Sequence, residues 1–567
     1  MESSFLGLNL DIHLQVMSNL DAVSLIRYAT TCRSLYETFQ NSSELSYTIQ
    51  LFLEGLEAKY GNTKSSPAEL LANLRLRREL QTSFKWSGYE SILINGSISE
   101  EKMANNRKRI LELVPWDTGS NVLQRFMGKA ALNITSKYFV IDSSQDIFAW
   151  FEDTFIAPVG QNVQNAVNQQ RIWIHTLSTG LPHPLARKEN LEFFESSDFA
   201  IANSFHVAMQ IVQETLSFSI HLPEKNARVI LWNWKSSDLL YDSGSERFNA
   251  TDTPYYRSAD FILLSPTSYL VTSIADSGSI NLFSVVLPFP RSEHEAPVMA
   301  SGAQYGKSIH VAALHFPSLI PGCSCIISLT ADAGPLSSGP MLRHPYRQRE
   351  DDRLYMFRIQ YLPFEIHQES RDILVFVHNH VFTAYMNRDS VDSTNLLPVR
   401  VPWGEWGPWN TRVIAANQEL MLDCGSGQRV LLRRHDRALQ PDATVCTVVE
   451  VLDFSRATLL AHGPGSTAYN PVNDSDVDRT VPLERDPDDT NIWHYSASTK
   501  LSPTRFPMFS DDVETHLPFV SVILPLKFQY FRYILHDDGI AGLCAFLGGA
   551  VFDAYTHNQK LCNNMQL

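Results

Sequence analysis

Four stretches of the chain place reactive side chains at short spacing. Cys323-Ser-Cys325 brings two thiols together, but a tetrahedral zinc site needs a second pair of nitrogen or sulfur ligands, and none follows at a comparable spacing. His378-Asn-His380 lies in an apolar run. On a strand, with its period of two, both imidazoles would share one face and supply two metal ligands, yet local spacing places no third His or carboxylate. Asp351-Asp352 and Asp537-Asp538 read as turns, because neighbouring carboxylates on extended backbone point to opposite faces and cannot share a proton. Between Asn473 and Thr490 stand seven acids against Arg479 and Arg485. The alternation of Asp474, Asp476 and Asp478 resembles the start of a calcium loop, but the required glycine and the terminal bidentate Glu are missing, which leaves a solvated acidic loop. Neither a nucleophile elbow, a phosphate-binding glycine loop nor a dinucleotide fingerprint is present. The expectation is a chain with no catalytic residue, no metal and no cofactor.

A second set has the chemistry of recognition. Trp403, Trp406 and Trp409 are spaced by three, and Trp is enriched where binding energy concentrates. Gly404, Gly407 and Pro408 between them equally fit a turn-rich loop packed on the core. The three Trp are the candidate target-binding residues.

The elements that would hold these residues fall into two regions. The 567 residues are 44% hydrophobic and 19% charged, with 31 Phe, 20 Tyr and 10 Trp, so a disordered chain is excluded. Lys and Arg number 46 against 61 Asp and Glu, a net charge of −15 that repels phosphate backbones and anionic lipids; partners of nucleic acid or membrane are not expected. The seven cysteines are odd in number and scattered, the start Met1-Glu2-Ser3-Ser4 lacks the positive charge of a signal peptide, and the most apolar run, at 539–552, is short for a bilayer of ~30 Å. A cytoplasmic or nuclear setting is expected.

In the first ~85 residues apolar positions recur every three or four: Leu8, Ile12, Val16 and Leu20, then Val23, Ile26, Cys32, Leu35 and Phe39. Asn9 and Asp21 stand as N-caps, which gives helices over about 10–19, 21–31 and 33–40. Further helices are expected over about 44–59 and, opened by Ser66-Pro67 with Glu69, over about 67–82. Beyond, the period changes to short strands broken by turn residues, among them Lys137–Ile141, Arg171–His175, Arg228–Trp234, Ser279–Ser284, Arg353–Ile359, Asp372–Val377 and Val445–Val451. No amphipathic helices alternate with them, so the sheets should be antiparallel.

Ile172, Ile230, Ile280 and Leu354 serve as anchors of a repeated strand-and-turn unit, at intervals of 58, 50 and 74 residues. Arg228–Trp234 resembles the third strand and turn of a WD-repeat blade, with Asn233 in place of the usual Asp after Trp232. The expected fold is mainly β with a small all-α N-terminal domain, the β part a degenerate β-propeller of ~6–8 blades with long loops. A pair of β-sandwiches would satisfy the same strand statistics. The divisions read as residues 1–43, a helical linker at 44–85 and a β domain at 86–567, with an irregular acidic loop at about 462–516.

The N-terminal string Leu8-Asn-Leu-Asp-Ile-His-Leu-Gln-Val-Met-Ser-Asn-Leu20, followed by Asp21-Ala-Val-Ser-Leu-Ile26 and Ala29-Thr-Thr-Cys-Arg-Ser-Leu-Tyr36, resembles an F-box. Leu8, Asp11, Ile12, Val16, Leu20, Asp21, Leu25, Cys32, Arg33 and Leu35 fit the motif, and Asn9 replaces its usual Pro. The combination with Val401–Arg412 and the tail Leu517–Ile540 is similar to fungal F-box proteins with propeller-like C-terminal parts. The resemblance implies docking to a Skp-family adaptor, and through it to a cullin–RING ubiquitin ligase. The candidate adaptor-binding residues are Leu8, Ile12, Leu14, Val16, Leu20, Leu25, Ile26, Cys32 and Leu35. The function expected is that of a non-enzymatic receptor for an unknown protein target; an interaction scaffold without ligase association and a propeller enzyme with a helical cap are the alternatives.

Overall fold

Helix caps and periodicity set the first elements of the computed structural model. It describes residues 8–58, 65–83, 88–95, 139–142, 145–156, 167–176, 179–194, 206–221, 228–243, 258–275, 277–287, 306–320, 326–333, 345–361, 371–387, 398–416, 420–436, 446–462, 493–494, 506, 508–524, 532–536, 539–546 and 549–556. The Cys323/Cys325 pair, the acids between 473 and 490, and Asp537-Asp538 lie outside these residues.

Helix α1 (Leu10–Ser18) begins at Asn9, whose side chain accepts from the Asp11 N–H at 3.3 Å, and α2 (Ala22–Ala29) at Asp21, which accepts from Val23 and Ser24, both at 3.0 Å. Helices α3 (Arg33–Asn41) and α4 (Ser43–Leu53) follow, the latter capped by Ser42. Helix α5 (Pro67–Ser83) opens on a reciprocal capping box, in which Ser66 accepts from the Glu69 N–H and Glu69 accepts from the Ser66 N–H.

The rest of the described chain is mostly strand. The first sheet is β3 (Phe139–Asp142), β4 (Ile147–Ile156), β5 (Val167–Thr176) and β6 (Asn190–Phe194); the second is β7 (His206–Val212), β8 (Thr215–His221), β9 (Arg228–Asn233) and β10 (Asp238–Asp242). The third comprises β11 (Ser258–Ser265), β12 (Ser268–Ser273), β13 (Ser279–Val286) and β14 (Lys307–His315), to which β19 (Val399–Val401) adds in parallel. The fourth is β15 (Ile326–Ala333), β17 (Leu354–Tyr361), β18 (Arg371–His378) and β20 (Thr411–Ala416). In the fifth, β21 (Leu420–Ser426), β22 (Arg429–Asp436) and β23 (Cys446–Asp453) are followed by β25 (Val520–Leu524) and the short β24 (Trp493–His494). The sixth is β26 (Arg532–His536), β27 (Gly539–Phe546) and β28 (Gly549–Thr556), completed by β2 (Gly88–Asn95) from the other end of the chain. Apart from β14–β19, all the pairings in these six sheets are antiparallel among the described residues. Three more helices, α6 (Asn379–Met386), α7 (Trp403–Asn410) and α8 (Arg456–His462), interrupt the strands.

The leading strand of each sheet touches that of the next, from β3 through β7, β11, β15 and β21 to β26. The core lies between successive sheets. On β9, Ile230 and Trp232 pack toward the first sheet while Val229 and Leu231 pack toward the third. On β17, Tyr355 and Phe357 face the third sheet's Leu282 and Leu314, and Leu354 and Met356 face Val430 and Leu432 of the fifth. Central strands covered on both faces bury successive residues, such as Leu354–Phe357 and Val229–Trp232, which is why they read as unbroken apolar runs. Ile172, Ile230 and Ile280 all stand on the third strand of their sheets, but Leu354 stands on the second, so the fourth anchor is out of register with the other three.

Two expectations need correction. The helix expected over 44–59 stops at Leu53, because Gly55 turns out of the helical path at φ +68°. The chain then forms β1 (Leu56–Ala58), which pairs with β16 (Tyr346–Gln348) and ties the helices to the β body. The tryptophan-rich string is not a loop but the helix α7, with Pro408 inside it.

Candidate protein-docking surface

The first four helices share a small core of Met17, Leu25, Leu35 and Leu45, against which Leu14, Leu20, Tyr28, Cys32, Phe39 and Ile49 pack. His13 is buried and its Nδ1 lies 2.8 Å from the Tyr28 hydroxyl. A core of this size cannot cover every apolar side chain of the unit. Leu8, Leu10, Ile12, Val23, Ile26 and Tyr36 remain exposed, at 39–52% of their surface. On α2 the division follows the helical period: Ala22, Leu25 and Ala29 turn inward, Val23 and Ile26 outward. Large apolar residues left exposed on a short span of helix make this a candidate docking surface.

Of the nine adaptor-binding candidates, Leu8, Ile12 and Ile26 lie on this surface, and Leu14, Val16, Leu20 and Cys32 are half-buried. Leu25 and Leu35 are sealed in the unit's own core and cannot meet a partner while it stays folded, which corrects their place in the set. Leu10, Val23 and Tyr36 were missing from it. For Val23 the signal was available, since it falls between the inward Ala22 and Leu25; Leu10 stands in helical register with the buried His13 and Met17, and its exposure had no such signal.

The helical unit is anchored to the β body by charge and aromatic contacts. The guanidinium groups of Arg349 and Arg456 lie 5.5 and 4.5 Å from the Phe52 ring centroid. Arg456 Nη2 pairs with the buried Asp352 at 3.1 Å, the Arg349 N–H donates to the Gly55 carbonyl, and Arg347 pairs with Glu57. Burial pushes the Glu54 carboxyl up, while Arg77 and Arg78 pull it back down. Asp351 and Asp352 sit in a short 3-10 turn at this junction, as expected of a turn.

His378 and His380 do not share a strand face, because β18 ends at His378 and His380 belongs to α6; their rings nonetheless stack at 5.7 Å. Burial, with His380 nearby, takes His378 down to about 4, and burial likewise lowers His380. Among the described residues these two histidines are joined by no third His, Cys, Asp or Glu in a metal-holding group. No helix among the described residues is long and apolar enough to cross a membrane.

The tryptophans separate. Trp406 is fully buried and its Nε1 donates to the His315 carbonyl at 2.8 Å; Trp403 is partly buried against Trp406 and Phe316. Gly407 lets the Trp403 ring approach, since a Cβ there would lie 2.3 Å from it. These two are packing residues, which corrects their place as target-binding candidates. Trp409 is the exception, 72% exposed and stacked on His516.

The sequence matches no protein-family model and none of the curated proteins. Among solved structures it is similar to the WD40 domain of SCAP from fission yeast, a crystal structure, at 8% identity over 74% of this chain and 95% of that one, with a TM-score of 0.26.

Proposed function

We propose that this chain is a non-catalytic substrate receptor of a cullin–RING ubiquitin ligase, acting in the cytoplasm or nucleus. The N-terminal helices dock a Skp-family adaptor, and the β body holds a protein target. The observation that carries the reading is the surface of Leu8, Leu10, Ile12, Val23, Ile26 and Tyr36, apolar and exposed on a unit with its own core. Helix-in-groove docking needs such anchors one helical turn apart, as Val23 and Ile26 on α2 are. The β body we read as a six-bladed propeller. Six sheets succeed one another with leading strands in contact, and the N-terminal β2 completes the last of them, which is how a ring of blades avoids an open edge. The contacts of Phe52, Gly55 and Glu57 with the body favour a fixed geometry between the two parts. A target held in that geometry gains effective concentration near the charged conjugating enzyme.

The test is co-purification with a Skp-family adaptor. The triple variant Ile12→Asp, Val23→Asp, Ile26→Asp should lose the adaptor while keeping the wild-type melting profile, since none of the three is buried. Leu25→Asp is the contrast, losing adaptor and fold together. Equal adaptor recovery by the folded triple variant and wild type would leave the interaction scaffold and the propeller enzyme with a helical cap as the surviving alternatives.

A further inference from the structure

The Trp409 surface has a chemistry of its own. The His516 ring stacks on the indole with centroids 4.1 Å apart and planes at 23°, and the His516 N–H donates to the Pro408 carbonyl at 2.8 Å. The Leu517 N–H donates to the Thr411 carbonyl and the Arg412 Nε to the Leu517 carbonyl, so the segment carrying His516 is fixed beside α7. One side of the indole is thus occupied, and the residue is still 72% exposed. An exposed aromatic of this size held in one orientation loses little entropy on binding.

Its surroundings are acidic. Glu405 lies one helical turn before Trp409, on the same face of α7, and is exposed. In the extended segment leading to His516, Val513 and Thr515 are buried while Glu514 is exposed, so Glu514 and His516 project to the same side. Asp511 and Asp512, just upstream, are exposed too. Of the basic residues near in the chain, Arg400 is exposed ahead of the helix and Arg412 is buried against Leu517 and Phe519. An exposed indole with carboxylates on both segments that hold it is complementary to a cation that carries an apolar stem, which is the side chain of Lys or Arg.

We propose that Trp409, with Glu405 and Glu514, forms a docking site for a basic segment of a partner protein, whose Lys or Arg side chain lies on the open face of the indole. As the target-holding surface of a ligase receptor the site rests on the function proposed above; as a basic-peptide site it stands on its own geometry.

The experiment uses the full chain and a fluorescein-labelled peptide in which Lys and Arg alternate with Gly and Ser, beside a peptide of equal length with Gln in place of each basic residue. Anisotropy titration should give tighter binding of the basic peptide, weakened by salt. Affinity should fall about tenfold in Trp409→Ala, be largely kept in Trp409→Phe, and fall severalfold in Glu405→Gln plus Glu514→Gln. Trp409 is outside the core, so Trp409→Ala should melt as wild type does, and a melting scan checks this. Equal binding of the two peptides would overturn the proposal. So would a basic-peptide affinity unmoved by Trp409→Ala, since that is attraction to the net charge alone. No adaptor enters the assay, so its failure leaves the adaptor-docking result untouched, and loss of adaptor docking leaves this site standing.

Discussion

His310 on β14, half-buried, and His378 at the end of β18, buried, are imidazoles whose surroundings disfavour the protonated form. Burial takes His310 down to about 4, against a backbone hydrogen bond at Ala312 that raises it, and its ring stacks on Phe283 at 4.5 Å. His378 is taken to about 4 by burial first, then by His380 and Arg456. In the unfolded chain a histidine binds its proton near 6.5. Above that pH both states are neutral and the two residues cost nothing. As pH falls from about 6.5 toward 4 the unfolded chain takes up protons that the folded chain refuses, so stability is lost across that window. The loss at pH 5 is on the order of 2 kcal/mol for each histidine. Urea unfolding at pH 7 and pH 5 measures it. His310→Phe keeps the stack on Phe283 and should reduce the difference between the two pH values by about that amount; an unchanged difference would mean that His310 is protonated in the fold.

At the scale of elements, the short β1 matters more than its three residues suggest. It joins α4 to β16, and the turn before it needs Gly55 at φ +68°. A Cβ there would meet the Gln428 side chain at 1.9 Å and Asp352 Cβ at 3.3 Å, so Gly55→Ala combines backbone strain with a clash at the junction. The expected cost is about 1–3 kcal/mol in thermal or urea unfolding, with faster hydrogen exchange in α4 and β1 than in β17. This junction is also where sequence reading stopped. Caps at Asn9 and Asp21 and the three-to-four spacing made α1 and α2 legible, and the apolar runs around Ile230 and Tyr355 were legible because strands between two sheets bury both faces. Leu56-Glu-Ala58 has no alternation to detect, and its partner lies 290 residues away along the chain at Glu57–Arg347. The only local signal was Gly55. Helix α7 was hidden for another reason: Gly404, Gly407 and Pro408 all argue for a turn, and the anchorage of Trp406 under His315 overrides them. At the docking surface, the sequence named the apolar helices but could not separate Leu25 from its neighbour Ile26, whose opposite fates depend on which helix lies beneath.

At the scale of the whole molecule, the pairing of β2 with β28 joins the two ends of the β region. Eight residues pair in register from Gly88↔Thr556 to Asn95↔Gly549. The other sheets draw their strands from stretches closer together in the chain, so this pairing carries the longest loop closure and is the one on which a closed ring of blades depends. Replacing residues 88–95 by Gly and Ser removes the pairing without shortening the chain. The edge of β28 then stands open, and an open edge pairs with other chains. The expected result is a lower and broader calorimetric transition, with association that grows with protein concentration in light scattering. A synthetic peptide of residues 88–95, added in excess, should reverse the association by occupying the vacant edge, as anything that binds the native state alone must do. A variant that melted sharply at the wild-type temperature and stayed monomeric would mean that the six sheets hold together as an open series. The propeller reading would then fail, while the docking surface on the helices, built on a separate core, would not.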